Sequence, residues 1–394
     1  MSDAKPASTP PTTPAPAPGR SDAERNQRIR AAVLLPIEAV VLAVLIGSLF
    51  VWAAAYIKDG KIDVLQPITA YRALISGSLL GFDPIVATLV AATPLIFGGL
   101  AVALGFKAGL FNIGVQGQLL MGVLGAVAVG VALADQPTWI AAPLAFIAGT
   151  LAGASFGLIA GALKAFRGAH EVVVTIMLNY IAGSILAAAV AGPLRVPQAA
   201  APVTYDVGNA ALPIILGKTG HIGIVIALAM VVLVWWLLYR TTLGFEIRTA
   251  GVNPDAARYA GMRPRRLVIL AMTMSAGLGG MAGANEILGV THLTQTSFAT
   301  TVGFDSIAVA LLARSNPFAI IPAAILFGAM RAGAGQMQIE ARTPRELVDV
   351  LQAVILITLV ALPVLARMTR GRGRIIPVEA QTITSSYAKE SVPS

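Results

Sequence analysis

There is no cysteine among the 394 residues, there are only three histidines, and charged side chains make up just 12% of the chain. The first absence excludes disulfides, thiolate metal sites and cysteine nucleophiles. His170, His221 and His292 are scattered rather than grouped, so each reads as a lone polar side chain and not as a metal ligand. No nucleophile and base stand at a recognisable spacing, and nothing in the residues supports an intramembrane enzyme. The scarcity of charge accompanies a hydrophobic content of 56%, well outside the balance of a soluble domain. An all-α integral membrane protein is expected, a polytopic helical bundle with discontinuous helices. The net charge of +9 does not argue for nucleic acid, because the arginines sit in short loops between apolar runs, as the positive-inside rule produces.

The residues that stand out against this background are amides. Phe111-Asn112-Ile113-Gly114-Val115-Gln116-Gly117-Gln118-Leu119-Leu120-Met121-Gly122 places three of them at the mouth of a long apolar run. Read as a helix, Asn112 and Gln116 are four apart and share a face, while Gly114 and Gly117 admit another backbone or a passing solute. An amide without a hydrogen bond in an apolar setting costs roughly 1 to 3 kcal/mol. These groups therefore either tie two helices together or face a water-filled path.

Taken in order, residues 1–30 form a Pro, Ala, Ser and Thr tail running into Arg20, Arg25, Arg28 and Arg30, a composition expected to be disordered. The first apolar run, 31–57, is long enough to span and to be retained, and the arginines before it place the N-terminus in the cytoplasm. Residues 58–82 then lie outside. Further spans are expected at 83–106, 111–134, 139–163 and 171–191, the last with Asn179 near its middle. Residues 192–219 make a long outer loop. Its Gly217-Lys218-Thr219 looks like part of a phosphate-binding loop but is not one, since Leu212 stands where the pattern needs glycine.

A sixth span, 221–239, leads to the most charged loop, 240–266, with Arg240, Arg248, Arg258, Arg263, Arg265 and Arg266 against Glu246 and Asp255. That excess assigns it to the cytoplasm. Its residues predict two short helices. The first covers 243–250 and ends at Gly251; the second has Asn253 as N-cap, Pro254 at the first position and Gly261 as a left-handed stop. They read as a docking surface or as an ordered loop.

A seventh span, 267–288, carries Gly279 and Gly283 as a tight-packing face and ends with Asn285 and Glu286. The apolar run 307–312 is too short to cross alone, so the backbone is expected to break inside the membrane with Asp305 near a helix start. There Asp305 would cap backbone amides or line a polar cavity. Runs at 317–330 and 347–365 complete about ten crossings, some incomplete, with a membrane domain over 31–367 and a cytoplasmic tail over 368–394. Gly109-Leu110-Phe111-Asn112 and Val302-Gly303-Phe304-Asp305 each set glycine, an aromatic and a polar residue at the start of a membrane segment, as paired discontinuous helices do in transporters.

At these residues the chain resembles the permease subunits of bacterial ATP-binding-cassette importers of the ribose and branched-chain amino acid type, most nearly the nucleoside (simple sugar) branch. The resemblance covers most of 85–365. It rests on 111–122, similar to "FNIGxEGQ"; on Glu171-Val172-Val173-Val174-Thr175-Ile176-Met177-Leu178-Asn179-Tyr180, similar to "NEVIxTxMLNY"; on 242–261; and on 303–310. Gln116 stands where the family usually has Glu, and His170 where it usually has Asn. The resemblance implies a non-catalytic subunit of the inner membrane that binds no cofactor and pairs with a second homologous permease. A cytoplasmic ATP-binding subunit would drive it and an external substrate-binding lipoprotein would feed it nucleosides.

Candidate pathway residues are then Asn112, Gln116, Gln118, Asn179, Glu286 and Asp305, and candidate ATPase-coupling residues are Gly244, Arg248, Gly251, Asn253, Pro254, Arg258 and Gly261. Neutral amides suit a neutral, hydroxyl-rich solute, which fits nucleosides and ribose alike. Branched-chain amino acids remain an alternative substrate. A secondary transporter working without an ATPase is the rival from another class, and it should show more coupling carboxylates within its spans.

Overall fold

The computed structural model describes residues 35–59, 63–296, 298, 300–344 and 346–369. The expected tail at 1–30 lies outside these residues, and of the expected tail at 368–394 only 368 and 369 fall within them. The regular secondary structure of the described chain is helical apart from one short hairpin. In order come α1 (Leu35–Asp59), α2 (Gln66–Leu79), α3 (Phe82–Lys107), α4 (Val115–Ala132), α5 (Thr138–Arg167) and α6 (Glu171–Ala191). The hairpin β1 (Ile214–Leu216) and β2 (Gly220–His221) precedes α7 (Gly223–Arg240), α8 (Thr242–Val252), α9 (Pro254–Tyr259), α10 (Pro264–Glu286), α11 (Val302–Leu312), α12 (Pro317–Glu340) and α13 (Glu346–Thr369). Seven helices among the described residues are long and apolar enough to cross a membrane.

Two buried clusters organise the bundle. The larger is built mainly from α3, α4, α5, α10, α11 and the first half of α12 around Phe97, Leu100, Leu104, Leu119, Met272 and Phe327. The smaller joins α1, α2, the second half of α12 and α13 through Val51, Ala73, Met337 and Leu351. Small residues let the central helices touch. A Cβ on Gly153 would stand 2.7 Å from the Gly280 backbone nitrogen, which is why α5 and α10 lie against each other over much of their length.

Three local differences from expectation have physical causes. Residues 66–79, within the stretch assigned to the outside, form a helix. Pro67 suits its first turn, and Ala70, Ala73 and Ser78 are buried. At fourteen residues it is too short to be recognised as a span from hydropathy. The seventh span does not stop at its polar end but continues through a wider turn, Ile287–Thr291, closed by His292 at φ 58°. The run expected at 317–330 continues to Glu340, which places Arg331 within a helix rather than after one.

The loop between α6 and α7 packs over that wider turn. Leu212 donates to the Leu288 carbonyl at 2.7 Å, Val207 to that of His292 at 3.0 Å, and Thr204 to that of Thr294 at 3.0 Å. Gly217, at φ +57°, turns the hairpin, with exposed Lys218 lying 3.9 Å from Asp83. His221 is fully buried beneath, against Gly289. Among the described residues its ring nitrogens and the Asn285 amide find no hydrogen-bonding partner.

Candidate functional site

The amide motif does not form one helical face. α4 begins at Val115, and Asn112 sits in the non-helical lead-in, so the expectation that Asn112 and Gln116 share a face is corrected. The cause is local: Asn112 Oδ1 accepts from the Gly114 backbone at 2.9 Å, a turn that competes with helix. The same oxygen accepts from Gln118 Nε2 at 3.0 Å, and Asn112 Nδ2 donates back to Gln118 Oε1 at 3.1 Å. It also donates to Ser275 Oγ on α10 at 2.9 Å, whose hydroxyl donates to the Ala101 carbonyl on α3 at 2.6 Å. Three helices and the lead-in are thereby joined by one buried network.

Asn179 fastens α6 to the same place. It accepts from Gly117 at 2.8 Å and donates to the Ile113 carbonyl at 3.1 Å. Gly117 is needed for this approach, since a Cβ there would lie 2.8 Å from Asn179 Cα. Gln116 fastens α11. Its amide donates to the Thr300 carbonyl at 2.8 Å and accepts from the Gly303 backbone at 3.0 Å. The two broken segments paired in sequence thus meet at their starts, though in different register: Asn112 precedes its helix, whereas Asp305 is in the first turn of α11. Asn112, Gln116 and Gln118 are buried and Asn179 half-buried, and all four amides are hydrogen-bonded within the chain.

Asp305 is paired with a cation that the sequence reading passed over. Arg331 on α12 lies 2.7 Å from Asp305 Oδ2 and also donates to the Thr301 hydroxyl. Thr301 Oγ1 donates to Asp305 at 2.9 Å, while Glu286 is half-buried at the end of α10. The Asp305 carboxylate is therefore spent on side-chain partners and not on capping backbone amides, one of the two roles expected of it. The available signal was an arginine in a stretch of small residues with no turn chemistry around it.

The basic loop folds much as its caps predict. Asn253 Oδ1 accepts from Asp255 and Ala256 at 3.1 and 3.0 Å, Pro254 opens α9, and Gly261 has φ +81°. α8 differs by continuing through Gly251 to Val252, so Gly251 is no stop signal. It makes a close approach instead. A Cβ on Gly251 would lie 2.6 Å from the Lys107 carbonyl oxygen, and one on Gly109 would lie 2.5 Å from that of Gly251. Gly244 is pressed just as closely onto the Leu237 backbone. Arg248 turns back over the Tyr239 ring at 4.9 Å, while Arg258 is exposed. A groove lined by Thr242, Glu246, Met262, Arg263 and Arg266 opens beside the two helices.

Among the described residues no cluster of three or more metal-ligating side chains is present. The arrangement is a helical bundle with a polar network at its centre and a basic, helical appendage in backbone contact with it. Comparison with known proteins gives the same architecture a family. Residues 84–360 match the family described as "Branched-chain amino acid transport system / permease component". The chain is 38% identical over 330 residues to the guanosine ABC transporter permease protein NupP of Bacillus subtilis, covering 82% of this chain and 92% of that one. It is 33% identical to the nucleoside ABC transporter permease protein NupB of Lactococcus lactis (82% and 89% covered) and 31% identical to the glucose ABC transporter permease protein TsgB13 of Haloferax volcanii (80% and 87%). No solved structure matches the chain. This multi-pass membrane protein belongs to the family of branched-chain amino acid transport system permease components.

Proposed function

We propose that the chain is the permease subunit of an ATP-driven importer that carries nucleosides inward across the bacterial plasma membrane. Both of its ends and loop 240–266 are cytoplasmic on this reading. The observation that carries the coupling is the Gly109–Gly251 contact. It places the exposed helix α9 and the basic groove one backbone away from the lead-in to α4. A cytoplasmic ATPase pressing on α8 and α9 would move that lead-in, and with it the network of Asn112, Gln118 and Ser275 and the junction of α4 with α11. Inward and outward states would exchange around this junction. ATP hydrolysis belongs to the partner, while a second, related permease and an external binding lipoprotein complete the assembly.

The substrate class is supported by the guanosine and nucleoside for which NupP and NupB are named, and by a core whose polar groups are mainly uncharged. The amides act here first as the fastening of the broken helices. Their bearing on the path is to hold its walls, with the Asp305–Arg331 pair beside it. Glucose, named for TsgB13, favours a sugar as the second reading.

The test is uptake of labelled uridine and adenosine, with ribose and leucine as competitors, in cells lacking the chain and in cells with it restored. Nucleoside uptake that requires the chain, falls when ATP is depleted and survives an uncoupler that spares ATP is the expected result. Loss of ribose or leucine uptake alone would move the protein to a sister branch. Uptake that follows the uncoupler would point to a secondary transporter.

A further inference from the structure

Tyr180 lies midway along α6 and is 72% exposed. Other strongly exposed tyrosines and tryptophans occupy different places. Tyr56, Trp139 and Tyr239 lie near helix ends, Trp236 lies in the last third of α7, Tyr205 is in the loop between α6 and α7, and Tyr259 ends α9. Those are positions where an amphipathic ring can sit at the membrane boundary with its polar tip in water. Tyr180 has no such boundary within reach. At 1.5 Å per residue the middle of a 21-residue helix is about 15 Å from either end, so its phenol would face hydrocarbon if the surface around it were lipid-covered.

The surroundings favour a path instead. Val173, Met177, Tyr180, Ile181 and Ser184 recur at helical spacing and are all exposed, forming one continuous face. Ser184 donates to the Tyr180 carbonyl at 3.0 Å, which puts a second hydroxyl on this face. Met177, with its polarizable thioether, is a side chain that adapts to flat rings. Tyr180 also follows directly on Asn179, which locks α6 to Gly117 and Ile113, so the ring is held at the depth where α4 starts. The buried amides at that depth are hydrogen-bonded within the chain, whereas the Tyr180 ring is open.

We infer that Tyr180 is a specificity-determining residue of the translocation path, an aromatic platform on which the base of a passing nucleoside stacks. The inference rests on the nucleoside reading given above and extends it. Stacking on an aromatic ring tolerates any base, since every base has a π-face, and it discriminates a nucleoside from a free sugar. It requires no charge from either partner. The exposed face of α6 would then border the path between this chain and its paired permease.

The experiment uses the assembled importer, with Tyr180→Phe, Tyr180→Leu and Tyr180→Trp in place of the wild type. Maximal uptake of labelled adenosine and uridine is measured along with recovery of the partner subunits on purification. Photolabelling by 8-azidoadenosine is mapped by mass spectrometry in the same preparations. Phe and Trp are expected to keep uptake within about twofold of wild type, and Leu to lower it roughly tenfold or more, given the energy of one stacked base. Label on the peptide containing residue 180, competed by excess adenosine and lost in Tyr180→Leu, completes the expected result. Wild-type uptake of Tyr180→Leu would overturn the inference and place the ring against lipid. Partner loss in both Leu and Phe variants would overturn it by making Tyr180 a subunit contact. Absence of nucleoside uptake by the wild type would remove the nucleoside reading and this inference together, whereas the first two outcomes leave that reading intact.

Discussion

Gly251, near the end of α8, and Gly109, in the lead-in to α4, touch backbone to backbone, so that a methyl group on either would meet the other's main chain within 3 Å. Contact between two backbones transmits displacement with little slack, because neither has a flexible side chain to absorb it. That relationship supplies the clearest test of coupling.

Gly109→Ala is expected to lower uptake by at least tenfold while the assembled complex still hydrolyses ATP. The substitution carries two effects, a left-handed φ of +69° that costs roughly 1 to 2 kcal/mol for a residue with a Cβ, and the collision with Gly251. Gly168→Ala separates them. Its φ is +67° but nothing lies within 4 Å, so it should show the strain alone and retain most uptake. Equal loss in both variants would reduce the contact to ordinary backbone strain.

Gln116→Leu removes both bonds between α4 and α11 and leaves the Gly303 amide and Thr300 carbonyl without their partner. The expected destabilisation is roughly 1 to 3 kcal/mol per unsatisfied group, read as a fall in the unfolding midpoint of the purified protein in lipid nanodiscs. Gln116→Glu should fall between, since a carboxylate still accepts from Gly303 but cannot donate to Thr300. An unchanged midpoint for Leu would show that this junction does not hold the two helices.

Asp305→Asn and Arg331→Gln should each destabilise more than the two together. Each single change leaves one partly buried charge without its counterpart, by roughly 2 kcal/mol or more, short of the 3 to 5 kcal/mol of fully buried pairs because both side chains retain some exposure. A double-mutant cycle on the unfolding midpoint measures the coupling. Additive losses would mean that the pair contributes nothing beyond its separate side chains.

Arg258→Glu tests docking more cleanly than Arg248→Glu, because Arg248 stacks on Tyr239 and its loss also disturbs α7. Exposed Arg258 has no such role in the fold, so the variant should fold normally and recover the ATPase several-fold less well on co-purification. Undiminished ATPase recovery and uptake would remove α9 from the docking surface.

Burial, and then the nearby charge of His292, hold the His221 pKa down to about 4, against 6.5 for the ordinary side chain. The unfolded chain therefore takes up a proton at a pH where the folded chain does not, and stability falls as pH drops from 6.5 toward 4. The shift corresponds to about 3 kcal/mol at most. Wild type should lose stability across that window and His221→Gln should lose less, as measured by thermal unfolding at a series of pH values. Parallel pH profiles would show that other groups dominate.

Local chemistry was legible from the residues themselves. The span 171–191, the Asn253 cap, the Gly261 stop and the helix start at Asp305 depend on hydropathy and on hydrogen bonds made within a few residues, and each stands where the sequence placed it. So did the tight face of Gly279 and Gly283, which meets Gln118 and the Leu119 backbone on α4. One misread element was the start of α4, where periodicity favoured a helix through Asn112 and the side chain's own turn, steadied by Gln118 and Ser275, prevailed.

Sequence by itself determined that this is a multi-span helical membrane protein with amides at a helix break and a basic, capped loop, because apolar length, charge asymmetry and capping act over short stretches of chain. Only the tertiary structure decided which polar groups are satisfied and which are open. Gln116 meets Gly303 across 187 positions, Asn112 meets Ser275 across 163, and Arg331 reaches back 26 positions to Asp305. Such pairings depend on how the helices cross, which no local pattern encodes, and they leave the Tyr180 ring exposed midway along its helix while the neighbouring amides are closed.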